Sequence, residues 1–147
     1  MSYSSTEDEK FELWRYIHET KNIMYKARQK ELDKYGISTS IAAVLDCLKS
    51  NSPFTSPTQI AEWMIRTPSS VSGILDRMEK AGLLVKFKDP DRKNLVRVVM
   101  TKEGEKVYEK ASKRKSINKM LSCLSKEERQ QLMTCLKKMR MAASKQL

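Results

Sequence analysis

The side chains of this 147-residue sequence best suited to chemistry are hydroxyls and cations, and they gather in two places. Ser69, Ser70, Ser72, Gly73, Asp76, Arg77 and Lys80 occupy the polar positions of one short helical period that Thr67 opens. Arg92, Lys93 and Asn94 form a polar turn flanked by Lys86, Lys88 and Arg97. Hydroxyls at a helix N-terminus can hydrogen-bond phosphates or base edges, and the helix dipole favours an anion there. Arginine and lysine at a projecting tip suit the negative potential of a narrow minor groove. The chemistry is recognition of a polyanion rather than bond making. Each group also has a plainer explanation. Serines are frequent at helix starts because they cap, and lysines guard strand edges against aggregation. Alone, the serines favour that explanation. Edge protection accounts for Lys86 and Lys88 better than for Arg92 at the tip.

The parts of an enzyme are missing. There is no nucleophile elbow, no glycine-rich phosphate loop and no histidine-based dyad. His18 is the sole histidine, so a site needing two His ligands cannot form within one chain. No metal and no cofactor is therefore expected. Cys47, Cys123 and Cys135 are odd in number and outside any CxxC spacing, which fits a reducing cytoplasm. Cys47 stands beside an apolar helix face and should be buried. Cys123, with Lys119 and Lys126 near it, and Cys135 keep a weak redox reading open.

With 29 Lys+Arg against 18 Asp+Glu, the formal charge is +11. That balance favours nucleic acid or an anionic membrane surface, though a lysine-rich surface also simply keeps a protein soluble. The polar, acidic N-terminus reads as no signal peptide, and no apolar run is long enough to span a bilayer.

Helical and strand periods place these residues. Residues 8–35 read as one long helix, with Phe11, Trp14, Ile17, Met24, Tyr25 and Leu32 on its stripe and Gly36 as its cap. Ser38 opens a second helix bearing Ile41, Val44, Leu45 and Leu48, and residues 50–55 read as a loop. Ser56-Pro57-Thr58-Gln59 is a capping box for a short third helix. Thr67-Pro68 starts a fourth whose apolar face is Val71, Ile74, Leu75 and Met78. The period then falls to two. Residues 85–88 and 95–100 read as strands around a six-residue polar turn. Thr101 begins a long helical stretch reaching Leu124, and Ser125-Lys126-Glu127-Glu128 restarts the helix to the end. The fold class is mainly α with a small β-hairpin wing, a winged helix-turn-helix between long terminal helices. The division expected is 1–37 as an N-terminal dimerisation helix, 38–101 as the winged unit and 102–147 as C-terminal dimerisation helices. In such a unit the second short helix enters the major groove. Phe11, Trp14, Ile17 and the stripe Leu132, Leu136, Met139 need cover that a second copy supplies.

Ile60-Ala61-Glu62, then residues 69–83 (SSVSGILDRMEKAGL), and Asp89-Pro90-Asp91-Arg92-Lys93-Asn94 running into Val98-Val99-Met100-Thr101-Lys102-Glu103-Gly104 together resemble the central motif of MarR-family regulators. The resemblance implies a homodimeric, cytoplasmic transcription regulator on double-stranded DNA, most often a repressor on a pseudo-palindromic operator. It implies that Arg92 enters the minor groove, that residues 69–73 face the major groove, and that Asp91 and Arg77 pair to position the wing. Two departures stand out: Ile65-Arg66 where the turn often has glycine, and Gly73 where some members carry a base-contacting arginine. The family also implies a small aromatic effector, for which Trp14, His18, Met24, Tyr25, Cys47 and Tyr108 are the candidates. Dimer core is the plainer role for each of these. The competing readings are a winged helix used for protein interaction or non-specific architectural DNA binding, and a basic amphipathic protein on membranes.

Overall fold

The computed structural model describes residues 6–51 and 55–147. The chain divides into two compact units, Met1–Lys113 and Arg114–Leu147.

In the first unit, α1 runs Thr6–Leu32 with Glu7, Asp8 and Glu9 in its first turn, where the helix dipole favours negative charge. A short 3₁₀ turn, Asp33–Tyr35, follows, and Gly36 closes it at φ 68°. The left-handed conformation explains glycine at that position. The expected residue-8-to-35 helix is thus an α-helix with a tightened last turn. Every residue from Thr6 to Ile23 is exposed; burial begins only toward the end of α1, at Arg28, Glu31 and Leu32. There the Arg28 guanidinium donates to Glu31 at 2.8 Å and to the Ala111 carbonyl at 2.9 Å, so the charge buried near the core is paired.

α2 is Thr39–Ser50, capped by Ser38, whose hydroxyl accepts from the Ile41 N–H. α3, Pro57–Met64, carries the full capping box between Ser56 and Gln59. α4, Pro68–Lys80, is capped by Thr67 through the Ser70 N–H, and it buries Val71, Ile74, Leu75 and Met78 as their spacing requires. These four meet Val44, Leu45, Leu48, Ile60, Leu84 and Val98 in one core. Full burial of side chains of this size contributes about 1.5–3 kcal/mol each, so this cluster fixes how α2, α3 and α4 cross.

The hairpin pairs β1, Leu84–Lys88, with β2, Val96–Met100, in antiparallel register with Lys86 opposite Val98. Thr55 adds a single bridge to Val98, accepting its N–H at 2.7 Å. Thr55 belongs to the stretch read as loop; composition gave no sign that its backbone would complete the sheet edge. Ser52, Pro53 and Phe54 of that stretch, and the polar N-terminal residues 1–5, lie outside the described residues. α5, Lys102–Ala111, begins on the Thr101 cap. Gly104 there packs against the Leu83 carbonyl so closely that an added Cβ would lie 2.2 Å from it.

The helical stretch expected to continue from Thr101 to Leu124 is broken. α5 stops at Ala111, and Arg114 takes a left-handed φ of 51° before α6, Lys115–Leu121, in the second unit. The Ser112 hydroxyl donates back to the Glu109 carbonyl and competes with helix continuation. Lys110, Lys113, Arg114 and Lys115 also crowd like charge at this point. α7, Lys126–Ser144, starts on the predicted Ser125–Glu128 capping box, and all of its residues are exposed, including Leu132, Leu136 and Met139.

Candidate nucleic-acid interface

α3 and α4 are joined by a turn in which Ile65 adopts φ 54°, ψ 52°. A β-branched side chain disfavours this region by about 1–2 kcal/mol. Ile65 is 71% exposed, so burial does not offset the strain. The tight turn forms without the glycine often found there, because two backbone bonds close it: Ile65 N–H to the Glu62 carbonyl and Arg66 N–H to the Ala61 carbonyl.

α4 then presents Thr67, Ser69, Ser70, Ser72, Gly73, Asp76, Arg77 and Lys80 to solvent. Ser69, Ser72, Gly73, Asp76 and Lys80 recur at three and four, so they form one stripe. Gly73 is not required by the fold: a Cβ there would meet only the Arg77 guanidinium, at 3.7 Å. Arg77 and Lys80 make no ion pair among the described residues.

The turn of the hairpin is organised by Asp89. Its carboxylate accepts the Asp91 N–H at 2.8 Å, the Arg92 N–H at 2.9 Å and the Arg97 Nε at 2.8 Å. The first two bonds make an Asx-type turn. The Arg97 hydrogen bond and the two backbone donors hold the Asp89 carboxyl below the usual carboxylate range. Arg92, Lys93 and Asn94 are left exposed at the tip, and Lys88 is exposed on the strand leading to it.

Three sequence expectations are corrected. Asp91 and Arg77 form no salt bridge; Asp89 with Arg97 holds the turn, because the Asp91 backbone is turned into Asp89. Arg97 is therefore engaged inside the wing, with 22% of its side chain exposed, instead of being free for a partner. Lys86 also is not a free cation. Its ammonium pairs with Asp76 and lies 3.8 Å from Glu79, both on α4. The strand explains this: Lys86 lies on the face of β1 shared with buried Leu84, while Val85 and Phe87 point outward. Asp76 and Glu79, three apart on α4, and the Asx signal in Asp-Pro-Asp-Arg were the cues for these pairings.

Of the candidate effector residues, Trp14, His18 and Tyr25 are exposed on α1, and Met24 is half-buried. Tyr108 packs on the core with the Lys49 ammonium 5.7 Å from its ring. Cys47 is closed inside the core at 0% exposure, so it cannot line an open cleft. Burial pushes its thiol up, which also removes it from redox chemistry. Cys123 and Cys135 are exposed free thiols. Among the described residues no cluster could hold a metal ion, and no helix is long and apolar enough to cross a membrane.

Two short helices on a tight turn, the second with an exposed polar stripe, and a cationic antiparallel hairpin beside it define a winged helix-turn-helix. Residues 37–94 match the MarR family model. Over 40 residues, 27% of both chains, it is 50% identical to the HTH-type transcriptional regulator FarR of Neisseria gonorrhoeae. Its fold matches the organohalide sensing transcriptional regulator RdhR-CbdbA1625 in the 2,4-dichlorophenol-bound form, with TM-score 0.84 and 28% identity over 97% of this chain and 88% of that one. It also matches a MarR mutant from E. coli complexed with operator DNA, with TM-score 0.83 and 20% identity over 92% and 99% of the two chains. The chain spans 27% and 66% of the lengths of the curated relatives it matches.

Proposed function

We propose that the protein is a cytoplasmic, sequence-specific regulator of transcription that binds double-stranded DNA as a homodimer. The observation that carries this reading is the pairing of one exposed stripe on α4 with a wing whose tip cations have no ion-pair partner among the described residues. α4 would lie in the major groove with Ser69, Ser70, Ser72 and Gly73 nearest the bases and Thr67, Arg77 and Lys80 beside phosphates. Arg92, Lys93 and Asn94 would enter the adjacent minor groove, with Lys88 at the backbone. The MarR–operator complex has the same fold, which supports the docking mode.

Dimerisation is supported by α1. Phe11 and Trp14 are 63% and 67% exposed, and Ile17 is 38% exposed, on a helix end that no described residue of its own unit covers. α7 carries Leu132, Leu136 and Met139 exposed in the same way. A two-fold dimer that buries these residues sets two α4 helices about one DNA turn apart and calls for a pseudo-palindromic operator, on which occupancy represses. The division into dimerisation helices at 1–37 and 102–147 around a winged unit at 38–101 is part of this proposal. So is release by a small aromatic effector held near Trp14, His18, Met24, Tyr25 and Tyr108. The phenol-bound organohalide sensor supports that step.

Selection of duplexes from a random pool, with and without phenols, tests the reading. A two-fold motif bound by dimers, with an Arg92→Ala variant weaker on every sequence and less selective for A·T beside the core site, is the expected result. Binding of single half-sites by monomers, or unchanged binding by Arg92→Ala, would refute it. Equal affinity for selected and random DNA as salt rises would favour the architectural alternative.

A further inference from the structure

The α4 stripe contains a contradiction. Asp76 stands in the middle of the face offered to DNA, between Gly73 and Lys80, and Glu79 lies one turn away from it on the wing side. Carboxylates there repel phosphate. Both are met by one lysine from the wing. The Lys86 ammonium pairs with Asp76 and sits 3.8 Å from Glu79, while the Lys86 backbone N–H donates to Glu79 at 3.1 Å. Only 24% of the Lys86 side chain is exposed, against 55% for Asp76 and 44% for Glu79, so the lysine lies beneath the carboxylates. Pairing with Lys86 holds the Asp76 carboxyl below the usual carboxylate range, so it stays ionised and stays paired near neutral pH.

We infer that Lys86 is a positioning residue that touches no DNA itself and makes α4 acceptable to phosphate by neutralising Asp76 and Glu79. This inference rests on the DNA-binding reading above. It assigns one of the wing's lysines to work inside the protein, and it makes the α4 surface charge depend on the wing being docked. The hairpin keeps its own anchors, the buried Leu84 and Val98, so losing Lys86 should leave the fold intact.

The test uses the full-length protein on its selected operator, titrated over a range of salt. The variants are Lys86→Met, Lys86→Gln, Lys86→Arg, and the triple Lys86→Met/Asp76→Asn/Glu79→Gln, with thermal melts to confirm folding. Lys86→Met and Lys86→Gln are expected to bind about tenfold more weakly, and Lys86→Arg within a few-fold of the wild type. Removing the carboxylates as well should restore most of the lost affinity in the triple variant, because the repulsion is gone. A direct lysine–phosphate contact predicts the opposite: no recovery in the triple, and a salt slope lower by about 0.9 in Lys86→Met. That outcome, with wild-type binding intact, overturns this inference alone. A wild type that binds no duplex overturns the DNA-binding reading and this inference with it.

Discussion

Gly73→Ala separates what the fold needs from what a partner needs. Glycine in the interior of an exposed helix is less stable than alanine by about 1 kcal/mol. In the free protein an added Cβ at position 73 meets only the Arg77 guanidinium, at an ordinary 3.7 Å. No backbone atom is close, so alanine should gain nearly the full helix preference. For a chain of this length that raises Tm by about 2–5 °C. If α4 seats residues 69–73 against the groove floor, the same methyl stands between helix and bases and should weaken operator binding by on the order of 1 kcal/mol, about fivefold. The assay pairs a thermal melt with an operator titration on one preparation. Opposite signs in the two readouts are the expected signature. A gain in Tm with unchanged affinity would show that position 73 faces no DNA, and a loss in Tm would show that the space read around it is wrong.

Three further outcomes follow from the local geometry. Ile65→Gly should stabilise the protein by about 1 kcal/mol, read as a rise in denaturation midpoint, because it relieves a left-handed β-branched residue that buries little. Gly104→Ala should destabilise by about 1–3 kcal/mol in the same measurement, since its Cβ would lie 2.2 Å from the Leu83 carbonyl. Asp89 has a lowered folded-state pKa, so its contribution to wing order is present above the ordinary carboxylate range and is lost as pH falls through the folded value. Hydrogen exchange of the Asp91 and Arg92 amides should therefore quicken relative to the core as pH drops below 4. In Asp89→Asn that pH dependence should vanish.

The sequence by itself determined most of what is local. The caps at Ser38, Ser56, Thr67, Thr101 and Ser125 all form as their motifs dictate, because a cap depends on a few neighbouring atoms. The apolar face of α4 is equally legible, because its spacing of three and four allows only one side to be buried. The winged helix-turn-helix and the location of its polar face follow from these. What only the tertiary structure decided lies where distant segments compete for the same group. Thr55 joins the sheet because Val98 arrives beside it. Cys47 lines no cleft because the core closes over it. Asp89 rather than Asp91 holds the wing, since the turn brings its carboxylate onto Arg97 and two backbone donors. Lys86 turns inward because strand register puts it over α4. Charge type is written in the sequence, but whether a charge is free or paired depends on which residues lie within about 4 Å of it, and only the folded chain sets those distances.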